Sequence, residues 1–409
     1  MQRKRISHKK SKGYWRIAGI VCLLCAAVCG TIAFQHYAGK DAASVKSIVN
    51  QGYTEASGDS VKDIAANQEL SLDERVEKIV GNMSDAEKVG QMLMIGIHGT
   101  EMNDDISYML NEYAVGGVIL FDRNMATKEQ VKELNAELQQ NVHGSLPLFI
   151  GIDEEGGRVA RMREAFPPPP SQAEISSNGD TKEAEAWAIK AATGLQQMGF
   201  NVNFAPVADV GSDEAGRMYS DDAETASGFV QAAAKGYMQE GMICTLKHFP
   251  GIGKGSADTH DDFVEVNADI DTLLSEDILP FKNMFQQENN DDFWVMVTHV
   301  TYPALDAKNP ASMSYAVMNN LLRQRMGYNG IVITDDMDMG AIAKHYDFKE
   351  VGVKAITAGA DIVLVCHDYA HEVDVYNGIL QAVRNGTISQ ERLNDSAKRI
   401  VRAKLLHLM

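Results

Sequence analysis

An α/β fold of the single (β/α)8 TIM type is what this sequence predicts, and three observations predict it. Eight short apolar runs recur between Gln91 and His367, most followed by a stretch of helical periodicity. The runs are nearly continuous in Val, Ile, Leu and Met rather than alternating, as expected of parallel strands covered on both faces. Polar residues gather at the C-terminal ends of the runs, where barrels of this kind carry their chemistry. A doubly wound open sheet is the competing arrangement.

The elements follow in order. Residues 1–16 hold seven Lys and Arg and no acid, and read as a basic cytoplasmic segment. Ile17 to Phe34 is uncharged over 18 residues, long enough to span a bilayer, and the preceding basic cluster predicts an exported bulk. A membrane anchor is the reading favoured here. A cleaved signal lacks a convincing small-x-small exit, and Val28 before Cys29 makes a poor lipoprotein box. Residues 35–71 are rich in Ala, Ser, Gly, Asp and Gln and predict a flexible linker. Residues 72–409 are the expected catalytic barrel.

Within it the strands are placed at Gln91–Gly96, Gly117–Phe121, Leu146–Asp153, Val202–Val210, Ile243–Pro250, Trp294–Val300, Gly330–Asp335 and Asp361–His367. Helices are placed at Lys128–Val142, where Val131, Leu134 and Leu138 form one face, and at Lys182–Met198, Glu224–Gln239, Phe348–Ala358 and Ala370–Val383. A terminal helix over Ser389–Leu406 is capped by Ser389. Phe166 and Pro167–Pro170 make a stiff element suited to bracing the loop after the third strand.

The formal charge is −18, and setting aside residues 1–16 leaves 31 basic against 56 acidic residues. So acidic a surface repels nucleic acid, which is excluded as a partner. Cys244 and Cys366 lie in apolar runs, and no disulfide framework is indicated. The exported part is held by its core.

The most informative segment is Lys247-His248-Phe249-Pro250-Gly251-Ile252-Gly253-Lys254-Gly255-Ser256-Ala257-Asp258-Thr259-His260. It puts a Lys-His pair at a strand end, then a Gly-rich loop with Asp-x-His. An imidazole two residues from a carboxylate, on such a loop, is a plausible general acid/base unit. The other strand ends supply Asp153, Glu154, Glu155, Arg158 and Arg161, then Asp209 and Arg217, then Thr298-His299, and finally Thr334-Asp335-Asp336. Singly, Asp209 or Glu154 reads as a loop cap and His299 as a satisfied barrel histidine. Together they read as one polar face. Asp335 emerges on a rigid strand and can act as a nucleophile toward an oxocarbenium-like centre. Asp336 and Asp338 read as structural, since neighbouring side chains on a strand alternate.

These motifs resemble family 3 glycoside hydrolases, and within them the NagZ-type β-N-acetylglucosaminidases (β-hexosaminidases). The resemblance rests on Lys247 to Gly253, on Asp258-Thr259-His260, on Asp153-Glu154-Glu155-Gly156-Gly157-Arg158-Val159, and on Thr334-Asp335-Asp336-Met337-Asp338-Met339. It runs from about Leu72, through Asn82 to Met92, to the C-terminus. It implies Asp335 as nucleophile, His260 as general acid/base and Asp258 as the carboxylate orienting it. It implies Asp153, Arg161, Arg217, Lys247 and His248 as residues holding a terminal N-acetylglucosamine, with Arg158 structural. One departure is visible: Ile252 stands where the family pattern usually has a second His, which predicts altered loop packing or leaving-group preference. Thr259 for Ser is conservative.

The implied reaction is retaining hydrolysis through a glycosyl–Asp335 intermediate, with His260 protonating the departing oxygen and then deprotonating water. No cofactor or metal is required. A peptidoglycan-derived or related glycan is the expected substrate, and the protein is expected to act on it as a membrane-anchored monomer outside the cytoplasm. Other classes stay open: a Schiff-base aldolase using Lys247, a metal hydrolase using His248, Asp258 and His260, a β-glucosidase-type member, or a wall-sugar-binding protein without turnover.

Overall fold

Parallel strands need crossovers, and the amphipathic stretches between the apolar runs provide them. The computed structural model describes residues 60–142, 146–163, 167–213, 215–254 and 264–409. Eight parallel strands pair in the order β8-β1-β2-β3-β4-β5-β6-β7. They are β1 Leu93–Gly96, β2 Gly117–Leu120, β3 Phe149–Ile152, β4 Val202–Asn203, β5 Ile243–Phe249, β6 Phe293–Val297, β7 Val332–Thr334 and β8 Val363–Val365. The two edge strands meet through an Ile333–Ile362 bridge and a Thr334 N–H bond to the Ile362 carbonyl. The sheet therefore closes almost fully, consistent with a TIM-type barrel.

Each predicted run overlaps one strand, and the strands are shorter than the runs; the sixth begins at Phe293, one residue before its run. The fourth is the clearest case. The regular ladder covers only Val202 and Asn203. Phe204 N–H still reaches the Ile152 carbonyl and the Ala205 carbonyl accepts from Thr245 N–H, Pro206 has no N–H to give, and an isolated Val207–Lys247 bridge follows. Asn203 pairs with Ile152 on one side and Cys244 on the other, which fixes it deep in the sheet. Strands β3, β5 and β7 end at Ile152, Phe249 and Thr334, which brings Asp153, Lys247-His248 and Asp335 to one end of the barrel.

A hairpin that apolar periodicity does not reveal follows β3. Glu154–Gly156 pairs antiparallel with Val159–Ala160. Gly156 and Gly157 turn it at φ 99° and 54°, a region that L side chains rarely adopt. The Pro169 carbonyl accepts a 2.9 Å bond from Gly157 N–H, so the Pro-rich element does brace this loop.

The linker expectation is corrected over its last residues. Ser60 and Asp63 form a capping box on a helix at Val61–Ala66, and Ile64 is buried against Val76, Ile79, Val80, Ala397, Val401 and Leu405. Residues 60–71 thus pack as part of the folded unit. A single buried apolar side chain is too weak a period to show in sequence. The segments 1–16, 17–34 and 35–59 lie outside the described residues, and among those described no helix is long and apolar enough to cross a membrane.

At the opposite end of the barrel, helix Gln390–His407 sends Lys404 into the core. Its ammonium reaches Gln91 Oε1 at 2.6 Å and the Gly116 carbonyl at 2.8 Å, and lies 4.8 Å from the Phe149 ring centre. Asp361, leading into β8, gathers Arg323 at 2.6 Å, Arg399 at 3.2 Å and Arg392 at 3.5 Å.

Candidate active site

The centre of the site is a chain of alternating charges. Lys247, near the end of β5 and almost wholly buried, donates to Asp153 Oδ1 at 2.8 Å and contacts Glu155 Oε1 at 2.6 Å. Glu155 in turn takes both prongs of Arg217, Nε to Oε2 and Nη2 to Oε1, each at 2.9 Å. Burial would raise the Glu155 carboxyl, but Lys247 and Arg217 force it far below the carboxylate range. Burial likewise disfavours charge on Lys247, yet Asp153 and Glu155 more than offset it and hold the ammonium protonated. A protonated lysine is no carbonyl nucleophile, which weighs against the Schiff-base alternative.

Arg161 joins this chain at its outer end. Its Nη2 is 3.5 Å from Asp153 Oδ2, its Nη1 is 3.8 Å from Asp122 Oδ2, and its guanidinium carbon is 5.4 Å from the Phe121 ring centre.

His248 has a different partner. Its Nδ1 lies 2.7 Å from Asp209 Oδ2, while Asp209 Oδ1 accepts from the His248 and Ile252 amides at 3.1 and 2.9 Å. Asp209 does cap the loop, and it also fixes the imidazole with Nδ1 toward it. Ile252 is partly buried and packs against the barrel core.

Asp335 leaves β7 with its amide bonded to the Val297 carbonyl and its Oδ1 accepting from Asp336 N–H at 2.9 Å. Burial would raise its carboxyl. His248, that amide and Lys247 together hold it below the usual carboxylate range. It is a fixed carboxylate, ionised at neutral pH, on the same face as Lys247. Burial pushes the His299 imidazole down, so it is neutral. Its Nε2–H donates to the Asp336 carbonyl, and its Nδ1 accepts from the Ser312 hydroxyl, each at 2.8 Å. His299 thus clamps the backbone beside Asp335. Asp336 turns away to His367 at 3.2 Å, and Asp338 binds His371 at 2.6 Å and the Cys366 and His367 amides.

The structure therefore brings Asp153, Arg161, Arg217, Lys247, His248 and Asp335 to one barrel mouth. Asp258 and His260 lie outside the described residues. Sequence reasoning gave Glu155 no role, although it is the shared partner of Lys247 and Arg217. The signal that could have found it is charge: two cations at neighbouring strand ends need a carboxylate beyond Asp153. Among the described residues no group of three or more His, Cys, Asp or Glu side chains could hold a metal ion.

Fold and site together define a barrel enzyme with its polar groups collected at the C-terminal ends of parallel strands. The chain belongs to glycosyl hydrolase family 3: residues 85–403 match that family's N-terminal domain. It is a glycoside hydrolase. A β-hexosaminidase of Idiomarina loihiensis is 36% identical over 299 residues, covering 71% of this chain and 88% of the relative. A family 3 β-N-acetylglucosaminidase from Paenibacillus sp. str. FPU-7 superposes with a TM-score of 0.76 at 35% identity, covering 79% of this chain and 62% of that one. The M. tuberculosis protein LpqI superposes with a TM-score of 0.74 at 29% identity, over 80% of this chain and 96% of its own.

Proposed function

We propose that the protein removes terminal non-reducing β-linked N-acetylglucosamine with retention of configuration, through a covalent glycosyl–Asp335 intermediate. The observation that carries this reading is the state of Asp335. It is ionised, fixed at the mouth on both backbone and side chain, and held in its charged form partly by the Lys247 ammonium. A nucleophile toward an anomeric carbon needs those properties. The β-hexosaminidase and β-N-acetylglucosaminidase relatives support the choice of sugar.

In this reading Asp153, Arg161, Arg217, Lys247 and His248 surround the terminal sugar. Because Lys247 and Arg217 share Glu155, their remaining N–H groups point with little freedom, and a hydroxyl or acetamido oxygen meets donors already in position. His260 protonates the departing oxygen, and Asp258 orients it and stabilises its imidazolium. Water deprotonated by His260 then releases the sugar. The aglycone is a peptidoglycan-derived fragment or a related glycan. The uncharged stretch 17–34 holds the barrel at the outer face of a membrane, which fractionation of the full chain checks.

The test uses the full chain with a nitrophenyl β-N-acetylglucosaminide, proton NMR of the released sugar and a 5-fluoro N-acetylglucosaminyl fluoride inactivator. Early release of the β anomer and a mass increase on the peptide containing Asp335 are expected. Release of the α anomer, or labelling of another side chain, overturns the mechanism.

A further inference from the structure

Arg161 is the weakly held member of the charged chain. Among the described residues its guanidinium has only distant ion partners, at 3.5 Å and 3.8 Å, and its Nε has no hydrogen-bond partner. Its own contacts do not lock it, so its position follows from where its backbone sits. That backbone lies just beyond the short hairpin, whose pairing ends at Ala160 opposite Glu154. A two-stranded ribbon of this length has little stability alone.

Glu154 supplies what the ladder does not. Its Oε2 accepts from the Arg161 amide at 2.8 Å and from the Met162 amide at 3.2 Å. Residue 154 is itself tied to the barrel by one side chain of β4. Asn203 Oδ1 accepts from Glu154 N–H at 3.0 Å, and Asn203 Nδ2 donates to the Glu154 carbonyl at 3.1 Å. Both residues are fully buried. Arg163 closes the hairpin from outside through the Ala160, Gly157 and Arg158 carbonyls. A continuous path of hydrogen bonds thus runs from strand β4 through Asn203 and Glu154 to the Cα of Arg161.

We propose that Glu154 is a positioning residue for the hydrolytic reaction, acting on substrate only through Arg161 by holding the Arg161 and Met162 amides. It touches no substrate. Its neighbours Asp153 and Glu155 act by side-chain charge in the mouth, whereas Glu154, pointing the other way, acts on backbone. The activity arm below rests on the hexosaminidase reading, and the exchange arm does not.

The test compares Glu154→Gln, Glu154→Leu, Arg161→Ala and the Glu154→Leu/Arg161→Ala double variant, all in the full chain. Glutamine keeps an acceptor oxygen, so Glu154→Gln stays within about threefold of wild type in kcat/KM. Leucine fills the space but strands both amides, so Glu154→Leu falls about 100-fold, the cost of a site group displaced by about an ångström. In the Arg161→Ala background the same change costs less than about threefold. Amide hydrogen exchange gives a second readout: Arg161 and Met162 lose protection in Glu154→Leu while the amides of β3 to β5 keep theirs. Equal costs in both backgrounds, or unchanged protection at residues 161 and 162, overturn the proposal. Should wild type fail to cleave the β-N-acetylglucosaminide at all, the substrate reading falls, and the exchange data still decide the role of Glu154.

Discussion

Lys404 has no ion-pair partner among the described residues and is buried at the end of the barrel opposite the site, and its replacement by methionine gives a quantitative test of this packing. Burial pushes its amine down from 10.5 to about 7. That drop corresponds to about 5 kcal/mol favouring the neutral amine in the fold. The figure is a ceiling, because Gln91 Oε1, the Gly116 carbonyl and the face of Phe149 each favour the ammonium. The sign follows from proton counting. Between pH 7 and 10.5 the unfolded chain binds a proton at this position that the folded chain does not, so stability rises with pH across that window, by about 1.4 kcal/mol per pH unit at most. Below pH 7 both states are protonated and the full cost is present. Lys404→Met removes the titration while leaving Gly116 and Gln91 without their donor, which costs about 1–3 kcal/mol at every pH. Subtracting variant from wild-type unfolding free energies, from urea titrations at pH 6.5, 7.5, 8.5 and 9.5, cancels the other titrating groups. The difference should favour the variant most at pH 6.5 and shift steadily toward wild type by pH 9.5. A difference constant with pH would show that Lys404 keeps its proton in the fold, and the argument from burial would fail.

Asp335→Asn should lower kcat at least about 1000-fold without unfolding the chain, while Asp336→Ala, whose carboxylate turns to His367, keeps about a tenth of the activity or more; the reverse order would move the nucleophile. Because Asp335 stays ionised through the ordinary carboxylate range, the acid limb of the kcat/KM profile should lie below that range, and a limb within it would contradict the assignment. Glu155→Gln leaves Lys247 and Arg217 sharing a neutral partner, and removing one member of so buried a group should cost about 3–5 kcal/mol, seen as a lower Tm together with weaker N-acetylglucosamine inhibition. Asp361→Asn strands Arg323, Arg392 and Arg399 against one another and should cost a similar amount, read as a fall in Tm with the active-site inhibitor constant unchanged in the folded fraction.

Much of the fold was written in local pattern. Eight apolar runs of parallel-strand character, three of them closing on a charged or polar residue, specify a βα repeat, because apolar burial and backbone pairing both act through the order of side chains along the chain. Asp335, Lys247 and Asp153 were legible for the same reason: a charge at the end of an apolar run has few places to go except a barrel mouth. Partnership was not legible. That Lys247 answers to Glu155 as well as Asp153, that Asp209 fixes His248, and that residues 60–71 pack on the terminal helix all depend on contacts between segments far apart in sequence. Nothing along the chain encodes a distance between β3 and β5. Only closure of the sheet brings their ends within hydrogen-bond reach, and it is there that burial and charge together set which carboxylates stay ionised.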